Sequence, residues 1–146
     1  MITVKTHFEC EIAHRLFDVD TYSEECRDNI HGHSYKFDLE VARKGHELNE
    51  AGMVVDFKLL KETIKEFERK YDHSVIIRDK DPLKEPLLNN CKKVNVCFQN
   101  PTAEWMVVTF SDELNDLFDK YHLEIEVVEL DIAETTGNIA IWRKDK

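Results

Sequence analysis

The chain has no apolar run approaching the roughly 18–20 residues of a membrane span. Its N-terminus also lacks the charged-then-apolar layout of a signal peptide. Both absences lead us to expect a cytoplasmic protein with no membrane partner. Cysteine is scarce, with only Cys10, Cys26, Cys91 and Cys97. Cys10 falls on the apolar phase of an alternating segment and reads as a small core residue. Cys91 and Cys97, six apart in a polar connection, could bridge, but a reducing compartment favours free thiols. Basic residues are outnumbered 20 to 30 by acidic ones, leaving a formal net charge of −10. That argues against a nucleic-acid partner, which needs a basic stripe. An anionic small molecule stays compatible, because Arg15, Arg27, Lys36 and Arg43 gather in one stretch of sequence. Four glycines and three prolines beside 42% hydrophobic residues describe a globular rather than a disordered chain. We expect a single domain over residues 1–146, since one core commonly serves about 100–200 residues.

What the chain does have is histidine in a telling place. His31-Gly32-His33 is an H-x-H pair, and His14 lies upstream at the end of an alternating segment. In a β-strand, residues i and i+2 project from one face, so His31 and His33 can grip one ion. Apolar residues fall on even numbers through Ile2, Val4, Phe8, Cys10 and Ile12, and His14 continues that phase. They fall on odd numbers through Tyr35, Phe37, Leu39 and Val41, and His31 and His33 continue that one. All three imidazoles therefore extend buried faces, where ring nitrogens need partners. Buried histidines satisfied by neighbouring polar groups are the plain alternative. Three imidazoles with one open position are the ligand set of a catalytic zinc, since structural zinc closes its shell with four protein ligands.

Two alternating strands, roughly 2–14 and 31–43, open the chain around a polar loop holding Cys26. Asp56 looks like an N-cap, and Phe57, Leu60, Ile64, Phe67 and Tyr71 recur behind it at helical spacing. A second helix is expected from Asn100-Pro101, with a stripe of Met106, Val107, Phe110, Leu114, Leu117, Phe118 and Tyr121. Strands at roughly 123–134 and 138–143 follow, separated by a Thr-Thr-Gly-Asn turn. The order is ββααββ, an α+β arrangement. A connection of about 25 residues, 74–99, lies between the helices, longer than compact domains usually carry without structure or function of its own.

Three further groups can carry chemistry. Cys26 precedes His31 by five residues in an acidic loop; it is either an exposed loop thiol or a base activated by a neighbour. Asp72-His73 offers such a neighbour, a carboxylate orienting an imidazole that relays a proton to a thiol. Glu134 continues the even phase of Val128, Leu130 and Ile132. There it either turns into water or meets a planar ligand presenting paired N–H donors, such as the edge of a pterin. Glu104, in the first turn of the second helix, favours the helix dipole by default.

Taken together these residues resemble the 6-pyruvoyl-tetrahydropterin synthase family, which includes bacterial 6-carboxy-tetrahydropterin synthase of queuosine biosynthesis. The resemblance runs through Phe8, Ala13-His14-Arg15-Leu16, Cys26, His31-Gly32-His33-Ser34-Tyr35 and Gly52-Met53-Val54-Val55-Asp56-Phe57. It continues at Asp72-His73, Pro101-Thr102-Ala103-Glu104 and Glu134-Thr135. The resemblance implies Zn2+ on His14, His31 and His33, proton transfer by Cys26, Asp72 and His73, and a pterin pocket at Glu104, Glu134 and Thr135. It implies the tunnelling fold, a four-stranded antiparallel sheet with two helices on one face. It also implies assembly of these sheets into an oligomeric barrel, with a hexamer expected and active sites between subunits.

The implied substrate is 7,8-dihydroneopterin triphosphate and the implied enzyme a lyase that forms 6-carboxy-tetrahydropterin. The other branches are 6-pyruvoyl-tetrahydropterin formation, folate-type release of a hydroxymethyl-dihydropterin, and a non-catalytic pterin binder. The chain departs from the family pattern at three places. Cys26 stands one residue further from His31 than in close bacterial relatives, which usually have four. Glu25 sits beside it, a residue type that one branch uses instead of cysteine. Ser74-Val75-Ile76-Ile77 replaces the Leu-Asn pair that usually follows Asp-His.

Overall fold

The computed structural model describes residues 1–21 and 23–145. Period-two alternation builds the central hairpin. β1 (Thr3–His14) buries Thr6, Cys10, Ile12 and His14 and turns Lys5, His7, Glu9 and Glu11 outward. A short helix, α1 (Glu24–Asp28), occupies the loop expected to be irregular around Cys26. β2 (His31–Arg43) then pairs antiparallel with β1 in unbroken register from Thr3↔Ala42 to His14↔His31. That register is set by burial, because a slip of one residue would expose every core side chain of the strand.

Asp56 caps α2 (Phe57–Tyr71) by accepting from the Lys58 and Leu59 amides, as expected from the sequence. The first residue of the expected stripe, Phe57, is exposed; the helix buries Leu60, Ile64, Phe67 and Tyr71. The second long helix starts later than the Asn-Pro signal predicts. Thr102 is its cap, accepting from the Trp105 amide at 3.1 Å, and Pro101 stays outside the helix with its carbonyl engaged elsewhere.

The connection over 74–99 corrects the expected sheet. It contains β3 (Ser74–Arg78), α3 (Lys84–Asn90) and β4 (Val94–Cys97). The second long helix is therefore α4 (Ala103–Lys120), followed by β5 (Ile125–Thr135) and β6 (Asn138–Arg143). The sheet has six strands in the order β4-β3-β1-β2-β5-β6, not four, and it is mixed: β3 runs parallel to β1 and to β4. Ile76 and Ile77, fully buried, give β3 its reason to join. The run is too short, and follows α2 too closely, to show a strand period of its own.

The core lies between the sheet and the two long helices. Phe8 stacks on Phe37 at 4.6 Å, and Phe110 meets Phe67 at 5.1 Å and Tyr71 at 4.4 Å, in offset or edge contacts typical of aromatic cores. A β-bulge between Glu40 and Val41 shifts the register of β5, so Ile125 and Val127 are buried on odd numbers before Leu130 and Ile132 on even ones. Val128, expected on the core face, is the residue displaced. Among the described residues no helix is long and apolar enough to cross a membrane.

Candidate metal centre and adjoining cavity

The β1–β2 register places His14 directly opposite His31 and Ile12 opposite His33. The three imidazoles meet at the end of this hairpin, with ring centroids 4.7, 5.5 and 5.1 Å apart. One potential ligand atom from each lies within 4.8 Å of the others. His14 is only 2% exposed. Its Nδ1 lies 2.6 Å from the Pro101 carbonyl, and His31 Nδ1 lies 3.0 Å from the Asn29 carbonyl. A carbonyl can only accept, so each Nδ1 carries a proton, and in the neutral ring the lone pair is left on Nε2. Burial lowers the His14 pKa, opposed by the Pro101 bond, and so favours the neutral form a metal requires. His33 Nε2 is buried with no hydrogen-bond partner. A buried orphan nitrogen beside two imidazoles oriented by carbonyls fits a divalent cation with nitrogen preference, zinc among them.

Glu134 comes in from β5. It continues the buried phase of Leu130 and Ile132, and the pairing of β5 with β6 is irregular around it, between Ala133 and Thr135. Its Oε1 lies 3.5 Å from both His14 Nε2 and His33 Nε2 and accepts from Tyr35 Oη at 3.2 Å. Tyr35, read from the sequence only as core, sits 3.3 Å from His14 Nε2, and burial together with the Glu134 charge pushes its pKa up. The alternative for Glu134, a strand-end carboxylate swinging into water, is not what the fold adopts. A cavity of about 530 Å3 opens here, lined by His14, Thr102, Glu104, Glu134, Asn138 and Ile139. A second, of about 610 Å3, lies across Glu134 and takes in His33, Ser34, Lys36 and Thr135. A larger cavity, about 1030 Å3 between β4 and α4, shares Thr102 and Glu104 with the first.

Asp72 and His73 sit elsewhere on the chain. Asp72 ends α2; its Oδ1 accepts from the Glu11 amide at 2.8 Å and its Oδ2 lies 2.9 Å from His73 Nδ1. These contacts, the Glu11 bond first, hold the Asp72 carboxyl below the usual carboxylate range. His73 has φ of 62°, the left-handed region, and its amide donates to the Glu11 carbonyl at 2.8 Å. Its side chain is 77% exposed. Cys26, half-buried in α1, receives the Leu16 amide on its carbonyl at 3.0 Å. Among the described residues no hydrogen bond joins Cys26 to Asp72 or His73. Glu25, beside Cys26, points outward and accepts from Ser23 Oγ at 3.0 Å.

The four thiols are all free among the described residues. Burial pushes the Cys10 pKa up to about 12 and the Cys97 pKa up to about 11. Alkylation proceeds through the thiolate. Iodoacetamide at pH 8 should therefore label Cys26 and Cys91 in the folded protein and leave Cys10 and Cys97 unmodified, as read by peptide mass spectrometry.

The sequence profile described as 6-pyruvoyl tetrahydropterin synthase matches residues 1–145. A protein of Rickettsia conorii named 6-carboxy-5,6,7,8-tetrahydropterin synthase is 30% identical over 117 residues, covering 78% of this chain and 80% of its own. A protein of the same name from Aquifex aeolicus is 33% identical over 127 residues, covering 80% and 75%. The structure of 6-pyruvoyl tetrahydropterin synthase from Caenorhabditis elegans superposes with a TM-score of 0.67 at 20% identity, over 99% of this chain and 96% of that one. With the profile spanning almost every residue and the fold agreeing, this chain belongs to the 6-pyruvoyl tetrahydropterin synthase family.

Proposed function

We propose that the protein is a zinc-dependent lyase of queuosine biosynthesis. It converts 7,8-dihydroneopterin triphosphate and one water to 6-carboxy-5,6,7,8-tetrahydropterin, triphosphate and acetaldehyde. The observation that carries the reading is the cluster of His14, His31 and His33 beside Glu134, at the mouth of a cavity of about 530 Å3. The choice of product is supported by the names of relatives at 30% and 33% identity.

His14, His31 and His33 would hold the ion. Bound there, zinc supplies Lewis acidity toward the oxygens of the substrate side chain. Glu134 and Glu104 line one cavity and can accept the paired N–H donors of the pterin edge, with Thr135 on the far side of Glu134. Cys26 as thiolate takes a proton from the side-chain carbon, and His73, oriented by Asp72, gives or takes one on the other face. Cys26 suits this role better than Glu25, whose carboxylate points away and is already engaged by Ser23.

Among the described residues no hydrogen bond joins the exposed Asp72–His73 pair to Cys26 of the same chain, which supports a site completed by a neighbouring subunit. Assembly is supported too by β6, an edge strand with Ile139 and Ile141 exposed, a surface that proteins normally cover. We therefore expect a homo-oligomer, a hexamer in a closed barrel. Sedimentation equilibrium reads this directly, and a monomer should be inactive.

The test is product analysis. Zinc-loaded protein incubated with dihydroneopterin triphosphate should give carboxy-tetrahydropterin and acetaldehyde by mass. Cys26→Ala should lower turnover by about 10²–10⁴, the usual worth of a positioned acid or base, while still binding the pterin. Pyruvoyl-tetrahydropterin or hydroxymethyl-dihydropterin as product would overturn the assignment in favour of another branch. No turnover by the metallated oligomer would make it a binder.

A further inference from the structure

Arg15 follows His14 directly and is nearly buried, with 12% of its side chain exposed; Asp81, from the turn between β3 and α3, is 0% exposed. The two make a fork. Arg15 Nε donates to Asp81 Oδ2 at 2.6 Å and Arg15 Nη2 donates to Asp81 Oδ1. Asp81 Oδ1 also accepts from the Leu83 amide at 2.8 Å, so both carboxylate oxygens are engaged. The Phe17 ring lies 5.1 Å from the guanidinium carbon. On the other side, Arg15 Nη1 reaches the Asp28 carbonyl at 3.5 Å, and the next residue, Leu16, donates its amide to the Cys26 carbonyl at 3.0 Å. Both contacts fall on α1, the helix that carries Cys26. A buried ion pair is weak evidence of stabilisation, because desolvation offsets most of its attraction and apolar pairs of similar volume often replace it without loss. What it supplies instead is a fixed direction.

We propose that the Arg15–Asp81 pair is a positioning device that locks α1, and with it Cys26, to the metal-bearing end of β1. The β3-α3-β4 unit thus acts on the site through Asp81. The inference rests on the reading of Cys26 as the catalytic base.

The decisive variant is Arg15→Met with Asp81→Leu, which removes the fork and keeps the volume. It is made in a Cys91→Ser background so that Cys26 is the one thiol open to alkylation. The metallated oligomer should keep its melting temperature within a few degrees and keep its metal. Its kcat should fall about 10²-fold with KM within twofold, the cost of an approximately 1 Å misplacement. Iodoacetamide should label Cys26 at least several-fold faster as α1 loosens. Wild-type kcat and labelling rate in the folded double variant would overturn the proposal, and so would failure to fold, which would make the pair structural. Arg15→Lys provides a second reading, since it keeps the charge but not the fork: lost kcat at unchanged stability supports the proposal, unchanged kcat sinks it. If the wild type itself turns over no pterin, the reading of the site has failed. The Cys26 labelling rate then still decides whether the pair holds α1.

Discussion

His73→Gly should make the protein more stable and much less active. His73 occupies the residue after the C-cap of α2 in the left-handed region, with φ of 62°. Glycine adopts that conformation without the Cβ clash that costs an L residue roughly 1–2 kcal/mol, though histidine tolerates it better than most. The amide that donates to the Glu11 carbonyl is kept in the variant. A gain of about 1 kcal/mol is expected, a rise of a few degrees in melting temperature for a chain of this size. Turnover should fall by about 10²–10⁴ with the loss of the imidazole. Calorimetry and steady-state kinetics on one preparation read both. A variant that loses stability, or keeps its activity, removes His73 from the proposed machinery. Non-glycine residues held in sparse backbone regions cluster where function demands them, and the opposed signs here are the measurable form of that trade-off.

The second large effect is on the metal. His33→Ala removes the imidazole whose Nε2 is buried and unpartnered. Even the loss of an outer partner of a metal ligand costs 10–100-fold in affinity, so loss of a ligand should weaken zinc binding by about 10² or more. Turnover should drop to background. The fold should survive, because the core between sheet and helices is built without these residues. Stripping the wild type with a chelator should do the same reversibly. At a thousandfold excess over its dissociation constant, zinc should return about 4 kcal/mol of stability and raise the melting temperature by roughly 10 °C. Inductively coupled plasma analysis and a thermal scan measure both quantities. A wild type that unfolds when stripped would show a structural metal instead, and one that takes up no zinc would end the catalytic reading.

The metal cluster was legible in the sequence because strand phase is a burial signal. His14, His31 and His33 each extend an apolar face by one more step of two, and the observed register brings those faces together. Glu134 was legible for the same reason and less securely. The phase leading to it is broken by one bulge at Val128, and a second irregularity falls at Glu134 itself. Bulges leave little trace in composition. The pair β3 and β4 was not legible. Ser74–Arg78 is five residues long, and its burial depends on a parallel contact with β1 that no local pattern announces. Nor were the carbonyls of Pro101 and Asn29, which orient His14 and His31, since a backbone acceptor has no residue signature. The pairing of Arg15 is equally hidden, since its partner lies 66 residues away.

Asp72 and His73 are held by the two main-chain groups of Glu11, the amide to one and the carbonyl to the other. The side chain of Glu11 faces solvent and accepts from Ser34 Oγ. Chemical identity at position 11 should therefore be nearly free to drift in a saturation library scored for activity. Proline alone should be lethal there, because it deletes the amide that orients the carboxylate. A position can thus serve the chemistry through its backbone while its sequence variation reads as neutral.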